Sequence, residues 1–155
     1  LFFSKFHMTH FLKLFSLVLF TIFSNYVFAQ KVNLAGNWTN IDYDKNKSDF
    51  ILSEDNYVSM SVNGEFIDGK NYIIKGGKNA GQKGELKYTI DYDKNPVEID
   101  IIAIMDDTEK GRILGTIKLI NKDEFLMIFS FTGKRDFNFS EKNAKQIAHF
   151  IRKKS

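Results

Sequence analysis

The sequence predicts an all-β protein, an eight-stranded antiparallel up-and-down barrel followed by a C-terminal α-helix. Two observations favour this fold class. From Leu34 onward, short runs rich in β-branched and aromatic residues are separated by turns of Asp, Asn, Gly and Lys, and the chain holds a single proline. The connections are short, so strands that are neighbours in sequence are expected to be neighbours in the barrel.

Eight runs qualify as strands. They are Gly36–Tyr43, Ser48–Ser53, Tyr57–Val62, Phe66–Ile74, Glu85–Tyr92, Val97–Met105, Ile113–Ile120 and Phe125–Phe131. Side chains in a strand alternate between two faces, and in the last four runs one face is almost wholly apolar. The residues expected inside the barrel are Leu86, Tyr88, Ile90, Tyr92, Val97, Ile99, Ile101, Ala103, Met105, Ile113, Gly115, Ile117, Leu119, Phe125, Met127, Phe129 and Phe131.

A helix is predicted at residues 141–153, with Ser140 as its N-cap. Its apolar residues recur at helical spacing: Ala144, Ile147, Ala148 and Ile151. Four apolar residues also fall on the outer face of the sheet: Ile102, Ile104, Leu126 and Ile128. The helix is therefore expected to cover this outer patch. A membrane-surface role for its apolar stripe is the alternative.

The start of the chain has the pattern of a secretory signal peptide. Met8 is the expected start, Leu14–Phe23 is an apolar run, and Ala29 is a small residue before the cleavage point. This run is shorter than the roughly 18 to 20 apolar residues of a membrane-spanning helix, although an uncleaved anchor is the alternative. We therefore expect a protein of the periplasm, the cell surface or the medium, with no stable membrane span after cleavage. The extension with its signal peptide is residues 1–29, and the single domain is residues 30–155.

Composition argues against several classes of function. The chain has no cysteine, which excludes disulfides, thiol catalysis and lipid attachment through cysteine. His149 is the one histidine outside the leader, and we expect it to have a surface or packing role rather than to join a catalytic triad or a zinc site. The net charge of +3 falls close to neutral once the leader is removed, so nucleic acid is not expected as a partner.

Two acidic motifs are interpreted as turns. Asp106 and Asp107 are adjacent carboxylates in a predicted hairpin, where acids are normally solvated. The hexapeptide Ile-Asp-Tyr-Asp-Lys-Asn occurs at residues 41–46 and again at 90–95, and it resembles the start of a calcium loop but has no glycine at the sixth position. No catalytic residue, metal site or cofactor is therefore assigned, and the protein is not expected to be an enzyme.

Gly36, Trp38 and Arg135 together carry a resemblance. A Gly-x-Trp at the first strand with an arginine near the last predicted strand resembles the lipocalin and wider calycin superfamily. In that superfamily the tryptophan plugs the closed end of the barrel, an arginine stacks across it, and the glycine lets the backbone curl beneath. Over Leu34–Phe139 the chain is similar to a lipocalin-like domain of exported bacterial proteins, although Asp136 stands where that family commonly has proline. The resemblance implies the barrel and no particular activity.

Two functions remain open at this point, both for a monomer. The first is a binding module for a small apolar ligand inside the barrel. Its expected lining is Tyr88, Tyr92, Ile99, Ile101, Ile117, Met127 and Phe129. The second is an inhibitor or immunity-type protein with a filled barrel that binds an envelope protein through loops such as Gly76–Gly84. The many inward aromatic residues favour a filled or nearly filled barrel.

Overall fold

The computed structural model describes residues 32–135 and 138–154, so the expected signal peptide lies outside the described residues. The described chain forms a ten-stranded antiparallel sheet that curls into a nearly closed barrel with almost no helix. The all-β class and the antiparallel barrel are therefore confirmed. Within these two ranges, no helix is long and apolar enough to cross a membrane.

Ten strands follow one another along the described part of the chain. They are β1 (Gly36–Ile41), β2 (Lys47–Leu52), β3 (Val58–Val62), β4 (Glu65–Ile67), β5 (Tyr72–Ile73), β6 (Lys83–Asp91), β7 (Val97–Met105), β8 (Thr108–Asn121), β9 (Glu124–Ser130) and β10 (Ile147–Arg152). Two short 3₁₀-helices lie at Gly77–Asn79 and Glu141–Gln146. The order in the sheet is β4-β3-β2-β1-β10-β9-β8-β7-β6-β5. Consecutive strands therefore pair, except β4 with β5, and β1 pairs with β10.

Because the strands alternate in direction, the barrel has two distinct ends. The closed end carries Gly36 of β1, Arg152 of β10 and the turns at 53–57, 92–96 and 122–123. The open end carries the turns at 42–46, 63–64 and 106–107.

Aromatic side chains fill the core near the closed end. The ring of Trp38 meets Phe125 edge-on with 4.6 Å between centroids, and Phe125 stacks on Phe150 at 4.7 Å. Phe150 also meets Phe50 edge-on at 4.9 Å. The alternation predicted from the sequence places most of the expected residues in or against this core. Phe131 is an exception and is 81% exposed, because β9 ends at Ser130.

The predicted strand Phe66–Ile74 is divided into β4 and β5, which accounts for one of the strands beyond the expected eight. The carboxylate of Asp68 accepts hydrogen bonds from the backbone N–H of Lys70 at 2.9 Å and of Asn71 at 3.2 Å. An aspartate that bonds the backbone two and three residues ahead forms a turn. This local turn interrupts a run whose composition is otherwise that of one strand.

The predicted helix at residues 141–153 is wrong. Glu141–Gln146 is a 3₁₀-helix, and Ile147–Arg152 is strand β10. This strand pairs with β1 on one side and with β9 on the other, so the sheet satisfies its backbone groups along both edges. Phe150 points into the core and its neighbour Ile151 points outward, which is the alternation of a strand. The other apolar residues of this segment happen to recur at helical spacing, and the sequence pattern therefore predicted a helix.

The outer apolar patch consequently has a different cover from the one expected. Ile128 lies on the outer wall, paired with Ile147, and is only 1% exposed. The link between β9 and β10 crosses this wall, because its residue Arg135 reaches Glu98 and Asp100 on β7. In the described residues, Arg135 of this link, rather than an α-helix, therefore lies against this side of the barrel.

Candidate functional site

Trp38 and Arg152 seal the closed end of the barrel. They are direct partners in the β1–β10 register, and the Arg152 guanidinium lies 4.1 Å from the centroid of the indole. Arg152 Nη1 donates to the carbonyl of Ala35 at 2.9 Å, while Nη2 donates to the carbonyls of Asn33 at 2.8 Å and Lys122 at 3.1 Å. A planar cation that stacks on an aromatic face and bonds carbonyls at its edges ties three segments together.

Two further contacts complete the seal. The indole Nε1 of Trp38 donates to the carbonyl of Leu34 at 2.9 Å, so the buried ring has its polar atom satisfied. Gly36 has a φ of 142°, and a Cβ atom there would lie 2.5 Å from Nη1 of Arg152. Glycine is therefore required at this position both by the backbone and by the arginine.

The expectation that Arg135 stacks on Trp38 is wrong. Arg135 lies on the outer wall, where its Nε is 3.0 Å from Glu98 and its Nη2 bonds Asp100. Its Nη1 donates to the carbonyl of Gly115 at 2.7 Å. The predicted arginine–tryptophan pair exists with Arg152 as the arginine, and sequence reasoning missed it because residue 152 was assigned to the end of a helix.

Five of the seven expected ligand-binding residues are buried in the packed core: Tyr88, Ile99, Ile101, Ile117 and Met127. Tyr92 and Phe129 pack against the same core and are partly buried.

Two of these residues have hydrogen bonds that support a structural role. The Tyr88 hydroxyl donates to the carbonyl of Ser53 at 2.7 Å, and burial raises its pKa. The Tyr92 hydroxyl accepts from the backbone N–H of Leu34 at 3.2 Å. The structure therefore brings the seven residues together chiefly as core.

The acidic motifs form turns, as expected. Asp42 accepts hydrogen bonds from the backbone N–H of Asn46 at 2.8 Å and from its side-chain amide at 2.9 Å, and the side-chain bond is the main cause that lowers the pKa of Asp42. Asp106 and Asp107 have φ values of 50° and 54° in the exposed turn between β7 and β8. His149 has a surface position, with its Nε2 2.7 Å from a carboxylate oxygen of Glu124.

The barrel wall closes between β3 and β6 around Gly69. The Gly69 N–H donates to Ser59 Oγ at 2.9 Å, and its carbonyl accepts from the N–H of Leu86 at 2.7 Å. A Cβ atom on Gly69 would lie 1.9 Å from the carbonyl oxygen of Val58. Only glycine leaves room for this approach. Beside it, the Tyr88 N–H donates to the carbonyl of Asn56 at 2.8 Å, so Gly69 and this bond together join the two sides of the wall.

Toward the open end from Gly69 the wall is incomplete, because β4 and β5 are the two ends of the strand order. A cavity of about 290 Å³, called here the seam pocket, lies at this gap. Its lining is chiefly apolar and comes from Ile67 on β4, from Tyr72 and Ile74 on and beside β5, and from β6 and β7: Leu86, Ala103, Ile104 and Met105. Sequence reasoning missed this site, because the division of one predicted strand creates it.

Charged residues surround the seam pocket. Glu65 and Lys75 form an ion pair of 2.7 Å between β4 and the residues after β5, and Glu65 raises the pKa of Lys75. Glu85 lines the pocket and is 3.6 Å from the ammonium groups of both Lys83 and Lys87. Lys110 also lines the pocket, and within residues 32–135 and 138–154 it has no carboxylate partner. The pocket therefore combines an apolar lining with a predominance of positive charge.

Three larger clefts lie elsewhere on the surface. One of about 530 Å³ is bordered by Pro96 and Phe139, one of about 660 Å³ by Phe131, and one of about 360 Å³ by Tyr88 and Tyr92, two of the expected ligand-binding residues. All three have more polar linings than the seam pocket, which makes them weaker sites for an apolar group.

The fold and the site thus define a small antiparallel β-barrel with a sealed closed end, a filled core and an apolar pocket in an incomplete part of its wall. Comparisons with models of protein families, with curated proteins and with solved structures found no match.

Proposed function

We propose that the protein is a binding module that holds a small apolar molecule in the seam pocket. The observation that supports this proposal is the apolar pocket of about 290 Å³ at the gap between β4 and β5. Ligand pockets typically measure roughly 300–1,000 Å³, so this pocket lies at the lower limit of that range and suits only a small ligand. The site differs from the deep interior expected from the sequence, because core side chains occupy that interior.

We also propose that the barrel is a divergent lipocalin-like domain. Gly36, Trp38 and Arg152 support this assignment, since they have the arrangement that the resemblance implies, with an arginine from the last strand across the tryptophan. A measured structure of the protein would test it. The proposal fails if that structure shows the indole of Trp38 without an arginine across its face.

Export is part of the proposal and is supported by the leader pattern in the sequence. The test is N-terminal sequencing of the protein isolated from the envelope or medium of its host. A chain that begins at Gln30 is the expected result. Recovery of an uncleaved chain would contradict it.

Binding in the seam pocket can be measured with the neutral dye N-phenyl-1-naphthylamine, whose fluorescence rises in apolar surroundings. Ala103 lines the pocket, and Ala103→Phe fills part of it. We expect this change to weaken dye binding by more than about tenfold. Ala144→Phe adds the same ring on the 3₁₀-helix before β10 and serves as the matched control. Equal dye affinity for wild type and Ala103→Phe would refute the proposed site.

Binding of an envelope protein is the second candidate, and one observation favours it. Five large apolar side chains are exposed on elements near the open end: Tyr43, Val62, Phe66, Ile73 and Phe131. Exposed apolar groups gathered at one end of a small protein are typical of interaction surfaces.

A further inference from the structure

The two strands that border the seam pocket have unpaired edges. Among residues 32–135 and 138–154, β4 pairs only with β3, and β5 only with β6. Asn63 and Gly64 have φ values of 51° and 80°, which makes the β3–β4 connection a two-residue hairpin turn. In such a hairpin Val62 and Glu65 exchange hydrogen bonds, so the N–H and C=O of Phe66 point away from β3.

The outer edge of β5 also has free backbone groups. The N–H of Ile74 donates to the carbonyl of Gln82 at 3.0 Å, so Ile74 directs its backbone toward the β6 side. Backbone groups alternate in direction along a strand, and those of Ile73 consequently point away from β6. Across the described residues, neither Ile73 nor Phe66 has another hydrogen-bond partner for these groups.

Each of these edges carries one large apolar side chain that is exposed. Phe66 is 52% exposed and Ile73 is 51% exposed. Free edges are usually protected by charged residues, proline or a covering element, since they pair readily with another strand. Their neighbours Ile67 and Ile74 face the pocket. A strand added at this edge would thus place every second side chain in the seam pocket and the others beside Phe66 and Ile73.

The charge around this edge indicates the chemistry of such a strand. Residues 65–87, which include both edges, hold five lysines against three acidic residues, Glu65, Asp68 and Glu85. Lys78 in this segment, like Lys110 beside it, has no carboxylate partner in the described part of the chain. Complementary charge selects partners and speeds their encounter, so an acidic segment suits this edge.

We infer that the seam binds an extended, acidic segment of a partner protein, which pairs with the edge of β5 and inserts one apolar side chain into the seam pocket. Main-chain hydrogen bonds supply affinity in this mode of recognition, and the pocket supplies specificity. The inference rests on the proposed function only in that both use the same pocket. The exposed Glu65–Lys75 pair near the gap is a small obstacle, because exposed ion pairs contribute little.

The test is a selection from a phage-displayed library of random peptides about ten residues long against the purified full chain. We expect enriched sequences in which apolar residues alternate with Asp or Glu. Ile73→Pro removes the outward N–H of the edge, which edge strands tolerate. This substitution should lower the affinity for the best synthetic peptide by roughly tenfold. Ile73→Val keeps the N–H and should bind the peptide with the affinity of wild type.

Dye binding separates this inference from the proposed function. Ile73→Pro should leave the affinity for N-phenyl-1-naphthylamine unchanged, because the pocket lining is intact. Loss of dye binding in Ala103→Phe together with a library that yields no enriched peptide would support the pocket and overturn the peptide inference. The peptide inference would also be overturned if the enriched peptides bound Ile73→Pro and wild type with equal affinity. Sedimentation showing a wild-type dimer that Ile73→Pro converts to monomer would assign the edge to a second copy of this chain instead.

Discussion

Replacement of Arg152 by methionine tests the seal at the closed end. Methionine keeps an unbranched apolar stem but cannot donate hydrogen bonds or place a cation on Trp38. The variant loses the bond of 2.9 Å to the carbonyl of Ala35, the bonds to two exposed residues, and the stacking at 4.1 Å. A fall in the free energy of unfolding should follow, since these contacts join β1 to β10.

The magnitude follows from the partners of each contact. The bond to Ala35 is part-buried and charge-assisted, and such bonds contribute about 1.5–3 kcal/mol. A partly desolvated cation over an indole contributes about 1 kcal/mol. The carbonyls of Asn33 and Lys122 are exposed and regain water, and the pair with Asp123 is also exposed, so these add little. We expect a total loss of about 3 kcal/mol, a large part of the stability of a small domain.

Urea unfolding followed by the fluorescence of Trp38, the single tryptophan, measures this loss. Arg112→Met is the matched control, since Arg112 pairs with the exposed Glu109 and with Asp100, and Asp100 keeps its second partner Arg135 in the variant. The control should lose less than about 1 kcal/mol. Equal losses for the two variants, or a loss below about 1 kcal/mol for Arg152→Met, would show that Arg152 does not seal the barrel.

Two further substitutions probe other parts of the structure. Gly69→Ala places a methyl group 1.9 Å from the carbonyl of Val58 and should cost about 3 kcal/mol by urea unfolding, whereas Gly76→Ala, with open space around it, should change stability little. Tyr88→Phe removes the bond to Ser53 and should cost about 1 kcal/mol near neutral pH. Burial raises the pKa of Tyr88 in the folded protein above the usual value of 10.0. The contribution of the Tyr88 hydroxyl to the free energy of unfolding is therefore complete below pH 10.0 and is lost as the pH rises through the raised pKa. Stability measured above that pH should therefore fall more steeply for wild type than for Tyr88→Phe.

The barrel was predictable because alternation of apolar and polar residues reports local backbone geometry. Ile99, Ile101 and Ile117 are buried as their parity requires. The strand β10 was not predictable in the same way. Ala144, Ile147 and Ala148 fit helical spacing, while the pairing of residues 147–152 with β1 and β9 depends on strands distant in sequence. Tertiary pairing decided the conformation of this segment against its local pattern.

The candidate site depended on a finer feature. Phe66–Ile74 has the composition of one strand, and the turn at Asp68 divides it through two hydrogen bonds to backbone N–H groups. The seam pocket exists because of that division. Gly36 and Trp38 were enough to predict that an arginine stacks on the tryptophan at the closed end. Identifying that arginine as Arg152 required knowledge of which strand closes the barrel.

Closure of the barrel through β10 has a consequence for how the protein folds. Arg152 and the carbonyl of Ala35 that it binds are 117 positions apart in the sequence. Contacts between distant positions require a large loss of chain entropy before they form, so folds that depend on them are slow to nucleate. While the protein is being synthesised, β1 and Trp38 emerge long before their partner strand and cannot be buried against it. A stable barrel can therefore form only after strand β10 has been synthesised.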